Sequence, residues 1–206
     1  MAKVQGINEC IHWGFYDAFV VPAAIAGAPP PTFESEMAKR DARILRFFVD
    51  VQNKTRLETN LQASGALPSR NSYEIRAMRV VVSPVLRCPP PAKGEVQSNE
   101  TDNVLADLIY NSVTSLLVGE KTMIEMPTYY FPAGAGVSPG NQSLPSHGQP
   151  DPMATFRFSE AVRIEPNQNF RVEILFPQGI PPTLANTRGP LRLWVVLDGY
   201  LTRDVQ

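Results

Sequence analysis

Two histidines, two cysteines and a scatter of carboxylates are the residues of this 206-residue chain with the means to do chemistry. A zinc site needs three or four nitrogen or sulfur ligands at bonding distance. His12, His147, Cys10 and Cys88 fall in no such spacing. A serine or cysteine nucleophile would have to borrow one of the two histidines as its base. One of these sits in an aromatic run and the other in a Gly/Pro-rich stretch, so both read as structural or solvated. The cysteines read as free thiols, with a single bridge between them as the other reading. Glu58, Asp102 and Glu125 are acid-base candidates only if the fold brings two of them together, and nothing in their spacing selects them. Gly134-Ala135-Gly136 lacks the third glycine and the strand-to-helix setting of a phosphate cradle, and reads as a turn. Asn-x-Ser/Thr triplets at Asn53, Asn99 and Asn141 suit exposed loops and matter only in a secreted chain. The expectation is a protein that is not an enzyme and carries no cofactor or metal.

Charge points the same way. Lys plus Arg number 19 and Asp plus Glu 20, a formal net charge of -1. The basic excess of a protein that coats nucleic acid is missing, so no specific nucleic-acid recognition is expected. Basic residues are locally dense at Lys39, Arg40, Arg43, Arg46, Lys54 and Arg56. On a strand beginning near residue 42 they would divide between two faces, which suits solvated edges or pairing between subunits. Residues 13 to 28 are the one stretch resembling a targeting or membrane segment. Asp17 and Pro22 interrupt it, it falls short of the roughly 20 apolar residues of a spanning helix, and only Lys3 precedes it as an n-region charge. No export signal is expected from it.

The elements that would position any such groups are strands. From 169 to 176, Phe170, Val172, Ile174 and Phe176 fall on one side and Arg171, Glu173 and Leu175 on the other, the period-2 pattern of a strand with one dry face. A strand is expected from 42 to 51, apolar on both faces and therefore central. Another spans Tyr73 to Val82 and stops before Pro84. Residues 53 to 71 are polar and turn-rich, a long connection. Thr101-Asp102 caps a helix carrying Val104, Leu105, Leu108 and Ile109. That helix either ends near Asn111, ahead of a hairpin of Val113 to Val118, Gly119-Glu120 and Lys121 to Met126, or runs on to Gly119 as a C-cap. The preferred reading is the hairpin. Residues 84 to 98, with Pro89-Pro90-Pro91, form a stiff excursion, and 132 to 152 a long loop. Thr155 to Ile164, Asn169 to Phe176 and Leu191 to Thr202 close the set.

About seven to nine strands result, the number of a sandwich or jelly roll. Their irregular spacing and the missing Cys-Trp-Cys framework favour the jelly roll. The expected fold is all-β, a single jelly-roll β-sandwich over residues 41 to 206 with one short helix, preceded by an extended N-terminal arm over residues 1 to 40. Twenty prolines in 206 residues stiffen its loops, since the apolar content is that of a globular chain. In the arm, Ile11, Trp13, Phe15 and Phe19 lead to Val20-Val21-Pro22, and Pro29-Pro30-Pro31 enforces an extended passage. Trp13, Phe15, Tyr16 and Phe19 are the interface candidates. They dock on a neighbouring subunit or a membrane-facing surface, or else they cover an edge of their own sandwich.

The run Asn53-Lys54-Thr55, then Glu58-Thr59-Asn60, then Gly65-Ala66-Leu67-Pro68 ahead of a strand, is similar to the segment after the first strand in structural proteins of tailless icosahedral bacteriophages. Gly119-Glu120-Lys121 with Pro127, and Pro132-Ala133-Gly134-Ala135-Gly136-Val137, resemble their later hairpin and loop. The resemblance spans roughly residues 44 to 140 through short, turn-like motifs. It implies a jelly-roll capsid protein, made in the host cytoplasm and located in the virion. Some shells of this kind overlie an internal membrane. The chain is too short for two fused jelly rolls, so the implied form is a single jelly roll forming capsomers with copies of itself or with other capsid proteins. Major, minor and vertex capsid proteins all share the fold. The competing expectation is a carbohydrate-binding sandwich that presents Tyr129-Tyr130-Phe131 to its ligand. A jelly-roll enzyme would need clustered histidines.

Overall fold

The computed structural model describes residues 8–68, 70–83, 100–132 and 155–204. In chain order the elements are β1 (Asn8–Val21), α1 (Phe33–Ala38), β2 (Ile44–Phe47), β3 (Ser72–Val82), α2 (Glu100–Tyr110), β4 (Val113–Val118), β5 (Lys121–Pro127), a 3-10 turn (Thr128–Tyr130), β6 (Arg157–Ile164), β7 (Phe170–Leu175), α3 (Pro182–Ala185) and β8 (Leu191–Asp204). They form two four-stranded antiparallel sheets, ordered β1-β8-β3-β6 and β2-β7-β4-β5. Among the described residues only β4 and β5 are consecutive strands of one sheet; the members of every other consecutive pair lie in different sheets. Two interleaved Greek keys of this kind make a jelly roll, and the chain is an all-β sandwich.

Alternation drives the packing. Phe170, Val172, Ile174 and Phe176 all point inward and are buried, as are Leu191, Leu193, Val195 and Leu197 of β8. They meet Leu45 and Phe47 of β2, Ile75, Met78 and Val80 of β3, and Leu116 and Val118 of β4 in one continuous core. The β4–β5 hairpin turns at Gly119-Glu120, with Gly119 at φ 60° in the first central position. That is the primed-turn arrangement matching the twist of the flanking strands.

Three expectations need correction. Residues 8 to 21 are not a separate arm: β1 pairs with β8 along its whole length, from Asn8↔Asp204 to Val21↔Leu191. Its odd-numbered residues, Ile11, Trp13, Phe15, Phe19 and Val21, make an alternating stripe broken by Asp17, and that break disguised a strand. The strand expected from 42 to 51 is only Ile44–Phe47 and lies at a sheet edge rather than in the centre. It stops because Phe48 adopts φ 68°, which breaks the period and lets Phe47 and Phe48 both point into the core. The single short helix becomes three among the described residues. One of these, α1, begins with a capping box in which Thr32 and Ser35 satisfy each other's backbone amides at 3.2 and 2.9 Å. The stiff excursion at 84–98 and most of the loop at 132–152 lie outside the described residues.

The registers place four connections at the same end of the sandwich. Val21, the start of β8 and the end of β3 share that end, as do the start of β6, the start of β4 and the ends of β5 and β7. The strand order then fixes the sequence of the joined strand ends across it: β1 with β2, β8 with β7, β3 with β4, and β6 with β5. Among the described residues α3 touches both α1 and α2, and α2 touches the 3-10 turn.

Candidate interaction surface

The groups named from sequence do not converge. His12 is exposed on the outer face of β1 and tilts against Tyr200 at 5.7 Å, and Cys10 is an exposed free thiol on the same strand. Glu58 accepts the Thr55 amide at 2.8 Å in the 53–60 connection, whereas Glu125 lies on β5, 3.4 Å from the Ser115 hydroxyl. His147, Cys88, the Gly134–Gly136 turn, Asn99, Asn141 and the side chain of Asp102 lie outside the described residues. Among the described residues no three His, Cys, Asp or Glu side chains converge as metal ligands, and no helix is long and apolar enough to cross a membrane. A hollow of about 230 Å³ on the outer face, between Cys10, Ser72, Glu74 and Tyr200, is bordered by Arg76 and Arg163. Glu74 pairs with both arginines.

The basic run is largely used within the chain. Lys39 pairs with Glu36, and Arg46 with Asp41 and Glu173. The Arg40 guanidinium lies 5.4 Å from the centre of the Phe19 ring. Lys54 is nearly buried and holds the fully buried Asp17 at 2.8 Å, while a second Asp17 oxygen accepts the Phe48 amide at 2.7 Å. Expected on a solvated edge, Lys54 is instead an internal tie.

Of the four interface candidates, Phe15 and Phe19 belong to the chain's own core, 3% and 2% exposed. Phe15 packs edge-on to Tyr73 and Phe19 edge-on to Phe33. Their burial follows from β1 being a full strand of the sandwich, so they are not free to dock on a neighbour. Tyr16 is half-buried and donates its hydroxyl to the Arg56 carbonyl. Trp13 alone keeps a broad exposed face, at 41%, on the inner side of β1 opposite Gly199.

Sheet edges are partly covered from within. Asn60 accepts the Tyr16 amide at 3.0 Å and donates to the Gly14 carbonyl at 2.7 Å, and Asp17 bridges to Thr59. The 55–60 connection therefore lies along the middle of β1. The Val80 amide of β3 bonds the Phe131 carbonyl at 2.7 Å, beyond the end of β6. On β5 a register shift opposite Leu116 and Leu117 interrupts the ladder. Each device makes pairing of a foreign strand harder.

Among the described residues two apolar surfaces are exposed at the end that carries the helices. The first is a tyrosine platform formed by Tyr110, Tyr129 and Tyr130, which are 69%, 48% and 45% exposed. Tyr129 and Tyr130 stack at 4.8 Å and 27°, Tyr110 lies 6.2 Å from Tyr129, and Phe156 continues the row at 6.1 Å from Tyr130. The Tyr130 hydroxyl, by hydrogen bonding and like charge, raises the Tyr129 phenol above its ordinary value. Beneath the platform is a buried relay of hydroxyls: Ser112 lies 2.6 Å from the Leu108 carbonyl and 2.7 Å from Thr128, which lies 2.8 Å from Thr114. Each hydroxyl has one proton, so the relay is fully satisfied when it runs Thr114 to Thr128 to Ser112 to the carbonyl. It fastens α2, β4 and the 3-10 turn together. Phe131, grouped with the tyrosines from sequence, is fully buried and serves as an anchor.

The second open surface is the run 22–31, Pro-Ala-Ala-Ile-Ala-Gly-Ala-Pro-Pro-Pro, with no polar side chain in it. Residues 22 to 30 are all exposed, and Ile25 is exposed to 75%. A turn closed by the Ala28 amide on the Ile25 carbonyl at 3.2 Å, with Gly27 at φ 86°, holds Ile25 at its start. The helical platform and this loop were invisible as a pair in sequence; the loop's unbroken apolar run was its only signal. Comparison with protein-family models and with curated proteins finds no match for this sequence.

Proposed function

We propose that this chain is a structural subunit of a viral shell, a single jelly-roll capsid protein that assembles with copies of itself or with a sister subunit. The observation that carries the reading is the strand order, β1-β8-β3-β6 against β2-β7-β4-β5, joined to uncharged apolar surface left open at one end of the sandwich. The order alone describes a fold that serves many functions. Exposed apolar surface gives it a direction, because such patches mark sites of association. The motifs between residues 44 and 140 that resemble tailless icosahedral phage proteins support the same reading. Partners on it are copies of the chain, other capsid proteins and, in shells of that kind, an internal membrane. The location is the virion, after synthesis in the host cytoplasm.

Electron microscopy and sedimentation of the purified protein test it. Closed rings or shells, formed alone or after addition of the sister subunit from particles, are the expected result. A protein that stays monomeric across wide ranges of concentration and salt, and is absent from particles, refutes it.

One observation favours a second reading. Stacked exposed tyrosines also suit the apolar faces of sugar rings, and a carbohydrate-binding module would use Tyr129 and Tyr130 in that way. Saturable glycan binding by a monomer, lost in Tyr129→Ser/Tyr130→Ser, would decide for it.

A further inference from the structure

Resting on the shell-subunit reading, we infer that the loop at 22–31 of one copy docks on the tyrosine platform of the next, head to tail, around an axis at the helical end of the sandwich. Both surfaces are uncharged. Proline-rich segments lie on aromatic surfaces because they are already extended and lose little entropy on docking, while ring faces pack on pyrrolidine rings. Pro29, Pro30 and Pro31 supply such a segment, and Ile25 supplies an aliphatic anchor exposed to 75%. Tyr110, Tyr129 and Tyr130 supply the ring faces, and a phenol hydroxyl can donate to a backbone carbonyl.

Position decides between a contact within one chain and a contact between copies. The loop belongs to the connection at one flank of the end, and the platform to the two connections at the other flank. The 176–190 connection lies between them and is tied to the loop's own side: Thr32 bridges to Arg188, and Gly189 packs so closely on Pro22 that a Cβ there would fall 1.9 Å from its carbonyl oxygen. Beside that connection residues 22–30 stay exposed in their own copy, so the loop is not docked on its own platform. Two different patches at opposite flanks of one end make a heterologous contact, and repetition of that contact gives a ring when the rotation between copies closes. A lipid surface is the poorer occupant, because residues 22–31 contain no Lys, Arg or aromatic residue, the groups by which interfacial segments hold a membrane.

Two exposed-site variants of the full chain test the pairing. The loop variant is Ile25→Asp/Pro30→Asp and the platform variant is Tyr129→Ser/Tyr130→Ser; urea unfolding verifies that both fold. Sedimentation velocity of each variant alone is expected to show the concentration for half-assembly raised by more than about tenfold, the effect of losing anchor residues at an interface. An equimolar mixture retains one competent junction per pair, the platform variant's loop on the loop variant's platform, and is expected to give dimers and nothing larger. Variants that assemble at the parent's concentration overturn the inference and leave the shell reading standing. A folded mixture without dimers overturns the pairing of these two surfaces. Loop-dependent flotation of the parent on phosphatidylcholine/phosphatidylglycerol vesicles, without rings, replaces the second copy by a membrane. A parent that is monomeric throughout removes both readings.

Discussion

Replacing Asp17 by asparagine removes one charge from the interior and leaves the other behind. The Asp17 carboxylate is fully buried and the Lys54 side chain is 9% exposed, with the ammonium 2.8 and 2.9 Å from the two carboxylate oxygens. The substituted carboxamide still has an oxygen for the Phe48 amide, which lies 2.7 Å from the native carboxylate, so the backbone bond is retained and the loss falls on the ion pair. Breaking a buried pair by removing one partner costs about 3–5 kcal/mol, because the remaining charge is desolvated without compensation. Against a total stability of about 5–15 kcal/mol that is a large fraction. With a urea slope of about 2–3 kcal/mol per molar, the unfolding midpoint should fall by about 1–2.5 M. Lys54→Met should cost a similar amount. The double variant Asp17→Asn/Lys54→Met carries no buried charge, so it should be markedly more stable than the sum of the single losses predicts, and a double-mutant cycle measures that coupling. Urea denaturation followed by tryptophan fluorescence and circular dichroism is the assay. Should Asp17→Asn cost less than about 1 kcal/mol, or the two losses simply add, the pair is not an internal tie.

Gly199→Ala should destabilise by about 1–3 kcal/mol or more, as overpacking does. A Cβ there would lie 2.0 Å from the Glu74 carbonyl oxygen of β3, and thermal unfolding would show the loss. Thr128→Val should cost about 1–3 kcal/mol by leaving the Ser112 and Thr114 hydroxyls with an unmade bond in the interior; a midpoint equal to the parent's in urea would remove the relay as a structural element. Tyr73 titrates well above its ordinary value near 10, first because it is buried and second because of the negative charge on Asp198. Its hydroxyl lies 2.7 and 2.6 Å from the Trp13 and Leu197 carbonyls. The native state keeps this proton when the unfolded chain loses it, so the stabilisation is intact below about pH 10 and declines above it, by up to about 1.4 kcal/mol per pH unit. Alkaline unfolding titrations should show that decline, and Tyr73→Phe should flatten it.

Short-range pattern in the sequence determined most of the strands and the hairpin. The alternation at 170–176, the run at 73–82 and Gly119-Glu120 between two β-rich runs each carry their information within a few residues, because side-chain period and turn conformation are local properties. The apolar character of 22–31 was equally plain. What the tertiary structure alone decided was partnership between distant segments. The first strand acquires its identity from β8, which lies almost the whole sequence away at Asn8↔Asp204, and Asp17 looks like an interruption until Lys54 and the Phe48 amide reach it. The turn of Phe48 into the left-handed region, which ends β2, likewise depends on that carboxylate. Phe15 and Phe19 read as interface candidates because a sequence shows which side chains are apolar and leaves open what covers them. The tyrosine platform exists only because α2, β4 and the 3-10 turn are fastened by buried hydroxyls, and its place across the sandwich end from the 22–31 loop is fixed by strand order, a property of the whole chain.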